Sequence, residues 1–208
     1  LGSVYFLEKI LKQVKTQDYL FALAFFALNP LVLVESLVSG HNDIVMMFLA
    51  ILSLYLLISK KYAASIILLG LSIGIKFSTI LLLPVFIYVL MGKLKNNTID
   101  LGKISMIAFI SMCVAVAITA YSSGINKNPE IQPWYFLMVF PFVALVAHKR
   151  LIIFLSICIS IGMLISYIPY LLMGEWPKDI VDLKVKLLIL SMALGFFLYA
   201  IKGRFLIK

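Results

Sequence analysis

A short polar stretch lies between two long apolar runs, where Glu35 is followed by His41, Asn42 and Asp43 in the segment GHND (40–43). A carboxylate can take a proton from a hydroxyl group, and an imidazole or amide can bind phosphate or sugar oxygens. Asn42 has a second interpretation, because it can cap the helix that follows. A cap requires only one such side chain, so capping does not explain why Glu35, His41 and Asp43 lie here as well.

A lone lysine interrupts the long apolar stretch 65–91 at Lys76. One interpretation is a side chain that reaches the lipid headgroups from within the membrane edge. The other is a cation that holds a phosphate.

Gln132, Trp134 and Tyr135 form the third group, at the start of a helix that Pro133 favours. Trp and Tyr often lie at the membrane–water boundary, which explains them without a ligand. The same rings could also form a platform for a sugar or an isoprenoid chain. The loop 174–184, which holds Trp176, repeats this pattern weakly and is assigned a supporting role.

The composition decides what kind of chain must position these side chains. Of its 208 residues, 63% are hydrophobic and 13% are charged, and the mean hydropathy is +1.12. Soluble domains are nearer half apolar and a quarter charged. The sequence predicts an all-α polytopic membrane protein with one transmembrane domain over 1–208. Cys113 and Cys158 lie in apolar runs and are interpreted as packing residues.

Apolar runs predict about eight membrane helices, preceded by the tail of an earlier one in residues 1–7. Pro30 should bend or stop the first complete helix and be followed by a short interfacial helix with its apolar face in lipid. The predicted membrane helices cover residues 19–29, 44–59, 66–75, 79–91, 104–121, 134–147, 151–173 and 187–201.

Charge decides whether 65–91 is one span or a hairpin that turns at Lys76. With a hairpin, one side of the membrane carries 13 of the 18 Lys and Arg residues, whereas a single span removes this bias. The positive-inside rule therefore favours the hairpin and places the basic loops in the cytoplasm of a plasma-membrane protein. The segments Gly40–Asp43 and Pro133–Tyr135, together with Lys76, then share the outer face.

Several other functions are not favoured. The net charge of +9 is explained by cytoplasmic loops near anionic lipid, so no nucleic-acid partner is expected. No Gly-rich phosphate loop, HExxH, CxxC or GxSxG motif is present. One histidine near one aspartate does not specify a metal site, although a divalent cation remains a possible cofactor.

Three segments, NPLVLVESLVSGHND, LLGLSIGIKFSTILLLP and QPWYFLMVFPFVAL, resemble in this order the polyprenol-phosphate-sugar-dependent membrane glycosyltransferases. The group they resemble is the mannosyltransferase-like part of the glycosyltransferase-C superfamily, over roughly residues 17–147. The resemblance implies transfer of a hexose, mannose-like, from a polyprenyl-phosphate donor to a lipid-linked glycan or protein acceptor at the outer membrane face. Membrane lipids would surround the enzyme.

The resemblance also implies roles for the polar residues. Asp43 would be an auxiliary carboxylate that orients the acceptor or a divalent ion, and His41 would contact phosphate or sugar. Lys76 would stabilise the leaving polyprenyl phosphate, and Trp134 and Tyr135 would contact the sugar or the lipid. The remaining members of the expected substrate-binding set are Glu35, Asn42 and Gln132.

The first outer loop, which carries the main catalytic carboxylate in this family, is expected to be missing. The chain is accordingly interpreted as the C-terminal portion of such an enzyme, without the main base. Two alternatives remain open: a polytopic transporter or lipid flippase, and an inactive truncated subunit. Helix interiors nearly free of charge, with polar groups gathered at one face, favour the enzyme over a transport path.

Overall fold

The computed structural model describes residues 1–14, 18–96, 98–123 and 130–205, and within them every regular element is helical. The connection between the predicted helices 104–121 and 134–147 lies partly outside the described residues. The helix that begins at Pro30 continues into a π-helical turn, Val34–Val38. Two 3₁₀ helices, Phe77–Leu82 and Pro133–Met138, each precede an α-helix. The α-helices are α1 Gly2–Val14, α2 Tyr19–Ala27, α3 Pro30–Leu33, α4 Asp43–Ile58, α5 Tyr62–Ile75, α6 Leu83–Leu94, α7 Leu101–Ser123, α8 Phe140–Leu145, α9 Arg150–Ile165, α10 Ile168–Met173 and α11 Ile180–Phe205.

Three helical segments of the described chain are long and apolar enough to cross a membrane. They are Phe77–Leu94, Leu101–Ser122 and Arg150–Met173. The pair Tyr19–Ala27 and Pro30–Val38 adds a fourth if its two parts, bent by 46°, count as one span. Length and composition therefore suggest a membrane protein.

The expectation of eight membrane helices is not confirmed. α4 and α5 have 16 and 14 residues, which at about 1.5 Å per residue is shorter than a hydrocarbon core of about 30 Å. The helix predicted over 134–147 is divided into a 3₁₀ helix and the six-residue α8. The helix predicted over 187–201 lies within α11.

The predicted bend at Pro30 is confirmed, and the side chain of Asn29 stabilises it. Its Oδ1 accepts hydrogen bonds from the backbone N–H groups of Leu31 at 3.0 Å and Val32 at 3.3 Å. The hydroxyl of Ser160 in α9 donates a third bond to the same oxygen at 2.8 Å. Asn29 thus begins α3 and holds it against α9.

The helix after Pro30 exists, but its apolar side chains do not share one environment. Leu31 and Val32 are buried within the protein, whereas Leu37 and Val38 are exposed. The contact with α9 explains why the first turn faces the protein instead of lipid.

The chain reverses tightly after this helix and returns towards Glu35. The N–H of Ser39 donates to the carbonyl of Val34 at 2.9 Å, and the N–H of His41 donates to that of Glu35 at 3.2 Å. Gly40 has a φ of +64°, a conformation that glycine adopts at little cost. Asn42 occupies the cap position of α4, but its side chain makes no capping hydrogen bond, so the capping interpretation was wrong.

α4 and α5 form an antiparallel pair joined by serine hydrogen bonds. Ser53 and Ser65 each donate to the carbonyl of the other at 2.7 Å, and Ser72 donates to the carbonyl of Met46 at 2.8 Å. Ser72 also donates to Thr79 at 3.0 Å. Seven residues of straight helix would span about 10.5 Å, so this last contact requires the chain to turn between the two residues.

The predicted break at Lys76 is confirmed. Its backbone is extended, with φ −155° and ψ 131°, between the end of α5 and the 3₁₀ helix that follows.

The segment from Pro133 to Val146 passes through the centre of the protein. α8 is buried along its whole length, and most of the preceding 3₁₀ helix is buried as well. The core packs around it with side chains from α1, α4, α6, α7 and α9. Trp134 and Tyr135 lie at the start of this central segment, so the surrounding core holds them in place.

α9 and α11 pack closely because glycine lies where the two helices meet. A Cβ on Gly162 would lie 1.9 Å from Ser191 Oγ, and one on Gly195 would lie 3.0 Å from the Leu155 backbone. Small residues allow this approach between helices. The contact fixes the end of α9 beside the start of α11.

Replacing Asn29 with alanine should lower the free energy of unfolding by about 2 kcal/mol, because the helix loses its cap and the Ser160 hydroxyl loses its acceptor. Thermal or denaturant unfolding in detergent micelles measures this loss. Asn42→Ala is the matched control, with an expected change within about 0.5 kcal/mol since that side chain makes no capping bond. Equal effects of the two substitutions would contradict the capping role of Asn29.

Candidate functional site

Glu35 is the buried centre of the polar cluster. Its side chain has no exposed area, although it lies on a helix of only a few turns. Tyr167, between α9 and α10, donates its phenolic hydrogen to Glu35 Oε1 at 2.6 Å. The second oxygen, Oε2, has no hydrogen-bond partner among the described residues. A buried carboxylate is costly unless it is paired, so this half-satisfied group marks the cluster as unusual.

His41 lies between Glu35 and the central segment. Its Nε2 is 3.7 Å from Glu35 Oε2, and its ring stacks on Trp134 with centroids 4.2 Å apart and planes at 21°. Trp134 in turn meets Tyr135 edge to face, with centroids 5.9 Å apart. The histidine ring is thus held on one face by an aromatic ring and faces a carboxylate at its edge.

Asp43 and Lys76 form an ion pair on the neighbouring side of the cluster. Lys76 Nζ lies 2.8 Å from Asp43 Oδ1 and 5.2 Å from the centre of the Tyr135 ring. The Asp43 side chain is 2% exposed, while that of Lys76 is 28% exposed. The ammonium group is therefore the accessible member of the pair and can meet an incoming anion.

A second lysine approaches from α11. Lys184 is buried and donates from Nζ to Gln132 Oε1 at 2.6 Å, and Gln132 donates from Nε2 to the carboxylate of Glu130. The Lys184 ammonium also lies 5.2 Å from the centre of the Trp176 ring. Lys184 precedes the predicted membrane segment 187–201. Burial lowers the pKa of its ammonium group, and the carboxylates of Glu130 and Glu35 oppose that shift.

The structure brings the side chains of seven of the eight expected substrate-binding residues into one connected cluster. These are Glu35, His41, Asp43, Lys76, Gln132, Trp134 and Tyr135. Asn42 is adjacent in sequence, but its side chain is exposed. Whether any of them binds substrate remains a prediction.

Two members of the cluster, Tyr167 and Lys184, were missing from the residues expected from sequence. Tyr167 follows an apolar run and looks like one more aromatic at a membrane boundary. Lys184 closes a loop with mixed charges that was assigned only a supporting role. The sequence did contain a signal for Lys184, because a lysine beside an apolar run must contact either water or a polar partner.

The described residues do not fit a divalent cation. They include no group of three or more His, Cys, Asp or Glu side chains placed to share an ion. The Asp43 carboxylate already pairs with Lys76, and Glu35 accepts from Tyr167. Whether the protein uses a divalent cation therefore stays a prediction.

The arrangement combines three chemical abilities within a few side chains. Lys76 offers an accessible positive charge, the partly exposed Trp134 offers aromatic surface, and the Glu35–His41 pair offers groups that exchange protons. A cation can stabilise a leaving phosphate, and a carboxylate or imidazole can take a proton from an attacking hydroxyl. These abilities suit displacement at a carbon that carries a phosphate leaving group.

A protein-family model described as the N-terminal domain of alpha-(1->6)-mannopyranosyltransferase, of the MptA/B family, matches residues 2–92. The match supports a mannosyltransferase-like relationship and, in general terms, glycosyltransferase activity. It contains Glu35, His41, Asp43 and Lys76 and ends before the central segment. Because the match is to an N-terminal domain, it does not support the expectation that the chain is a C-terminal portion. A search of curated proteins and a search of solved structures gave no match.

Replacing Lys76 with methionine should destabilise the protein by about 2 kcal/mol, because the buried Asp43 carboxylate would lose its partner. Lys186→Met, at an exposed lysine of α11, should change stability by no more than about 0.5 kcal/mol. Denaturant unfolding in micelles compares the two variants. Adding Asp43→Asn to Lys76→Met should recover part of the lost stability, because the unpaired carboxylate is removed. Equal stability of Lys76→Met and Lys186→Met would contradict a stabilising role of the Asp43–Lys76 ion pair.

Proposed function

We propose that this chain transfers a mannose-like hexose from a polyprenyl-phosphate donor to a glycan acceptor at the outer face of the plasma membrane. The observation that carries the proposal is the coincidence of two findings. The family match covers Glu35, His41, Asp43 and Lys76, and these same side chains meet in one cluster with Trp134. A family of mannosyltransferases implies a sugar donor and a sugar acceptor.

Lys76 is the residue proposed to bind the donor phosphate. Its ammonium group is partly exposed, while its partner Asp43 is buried, so an anion can approach the lysine from the open side. As the bond from C1 of the sugar to the phosphate oxygen breaks, negative charge grows on the phosphate. A preorganised cation stabilises that charge, and this kind of contribution is among the largest in enzyme catalysis.

The aromatic residues are proposed to position the sugar. Trp134 lies at the start of the central segment, with its ring partly exposed beside His41. Tyr135 is buried and supports this ring by an edge-to-face contact. Aromatic faces offer flat apolar area that suits the C–H face of a sugar ring or an isoprenoid chain. Asn42, whose side chain is exposed, adds an amide group that can bond to hydroxyls. Gln132 is buried and bonds to Lys184 and Glu130, so its proposed role is to hold this part of the site in place.

The donor class, the acceptor and the membrane face are parts of the proposal that follow from the sequence resemblance and from the charge bias of the loops. We place the chain in the glycosyltransferase-C superfamily on the same grounds. The family description, alpha-(1->6)-mannopyranosyltransferase, suggests a mannose-containing glycan as acceptor, lipid-linked or carried on protein. The basic loops would then lie in the cytoplasm, and the GHND segment and Lys76 outside.

The proposal is tested with the full chain in proteoliposomes, supplied with radiolabelled mannosyl polyprenyl phosphate and a short α-mannoside acceptor. We expect a labelled, extended acceptor. Lys76→Gln should lower kcat/KM by about 100-fold because the cation is lost, and Lys76→Arg should retain more of the activity. Lys103→Gln, at an exposed lysine of α7, is the control and should leave the rate unchanged.

Three other results would contradict specific parts of this function. Transfer from a nucleotide sugar, with none from the lipid donor, would refute the donor class. Equal losses in Lys76→Gln and Lys103→Gln would refute the role of Lys76. No transfer from any mannose donor would refute the enzyme itself.

A further inference from the structure

We propose that His41, positioned by Glu35, is the group that takes the proton from the acceptor hydroxyl. This inference rests on the proposed function and deepens it. The sequence resemblance implied that the main base lies outside the chain. The geometry points instead to a proton-accepting pair within it.

The first observation is the state of Glu35. Its carboxylate has no exposed area, and Oε2 has no hydrogen-bond partner among the described residues. His41 faces that oxygen, and its Nε2 lies 3.7 Å away. A small rotation of the imidazole would complete a hydrogen bond from Nε2–H to Oε2. Burial favours that bond, because a buried carboxylate oxygen without a partner is costly.

The second observation is that Tyr167 fixes the carboxylate. Its hydroxyl donates to Oε1 at 2.6 Å, across 132 positions of the sequence. With Oε1 occupied, Oε2 is the oxygen that turns towards the histidine. Tyr167 and Glu35 are therefore positioning residues for His41.

The third observation is that the imidazole is oriented and accessible. Trp134 stacks on the ring with planes at 21°, which leaves the ring few orientations. The His41 side chain is still 29% exposed. When Nε2 carries the hydrogen and faces a carboxylate, Nδ1 is the nitrogen with a free lone pair. That nitrogen is the acceptor for a substrate proton.

Neighbouring charged groups do not offer an equivalent base. The Asp43 carboxylate pairs with Lys76 at 2.8 Å, and Lys184 donates to Gln132. Tyr135 faces the Lys76 ammonium through its ring. Glu130, another carboxylate near the cluster, accepts from Gln132. Glu35 Oε2 is the carboxylate oxygen of the described residues that is buried without a hydrogen-bond partner, and His41 faces it.

In the proposed step, the acceptor hydroxyl attacks C1 of the donor sugar. The acceptor hydroxyl gives its proton to Nδ1 of His41 while its oxygen forms a bond to C1 of the donor sugar. The bond from C1 to the phosphate oxygen breaks, and its electron pair leaves with the polyprenyl phosphate. His41 becomes an imidazolium, and the Glu35 carboxylate stabilises that charge until the proton passes to water.

The first test reads the histidine directly and needs no activity. The chain has two histidines, so ¹⁵N-histidine NMR of His148→Gln in lipid nanodiscs reports His41 alone. We expect the proton on Nε2. Adding Glu35→Gln turns an amide donor towards that nitrogen and should shift the tautomer ratio towards Nδ1–H at least about tenfold. An unchanged ratio would overturn the positioning role of Glu35.

The second test uses the transfer assay and chemical rescue. His41→Ala should lower kcat at least about 100-fold, with the KM for donor within about twofold, because a general base acts in the chemical step. Added imidazole should raise the kcat of His41→Ala at least about tenfold. His148→Ala, at the exposed second histidine, is the control and should not change the rate.

The outcomes separate this inference from the function on which it rests. An active wild-type chain whose His41→Ala variant keeps its rate, or loses it without rescue by imidazole, overturns the inference alone. A wild-type chain that transfers no sugar overturns the proposed function and the proton-accepting role together. Loss with rescue, and a tautomer that depends on Glu35, support both.

Discussion

The cost of burying the carboxylate of Glu35 is the constraint on which the arrangement of the site depends. An unpaired charge in an apolar interior costs several kcal/mol, so the fold must bring partners to it. Tyr167 meets one oxygen, and His41 faces the other. His41 is near Glu35 in sequence, whereas Tyr167 is distant. Because Glu35 must contact both, α3 and its π-helical turn are fixed against α9 and the central segment.

The other features of the cluster follow from that placement. Gly40 lets the chain reverse so that His41 returns to Glu35, and Asp43 then begins α4 where Lys76 can reach it. The central segment is buried along α8, which holds Trp134 against the histidine ring. The result is a set of charged and aromatic groups at the start of the central segment, in an otherwise apolar protein.

Much of this could be predicted from local chemistry. Pro30 predicted the bend, because proline acts on the turn of helix next to it, and the charge bias of the loops along the whole chain predicted the turn at Lys76. The pairing of Asp43 with Lys76 was not predicted, although two opposite charges on one inferred face of an apolar chain favour it. The contact of Tyr167 with Glu35 could not be predicted, since it joins residues 132 positions apart through the packing of α9. The expected count of membrane helices is not confirmed, because apolar composition does not fix helix length.

The most direct test of the central claim is a double-mutant cycle between Glu35 and Tyr167. The free energy of unfolding is measured in micelles for the wild type, Glu35→Gln, Tyr167→Phe and the double variant. A buried, charge-assisted hydrogen bond predicts a coupling energy of about 1–3 kcal/mol, so the double variant loses less than the sum of the single losses. Additive losses would mean that the two residues do not interact, and the site would lose the contact that organises it.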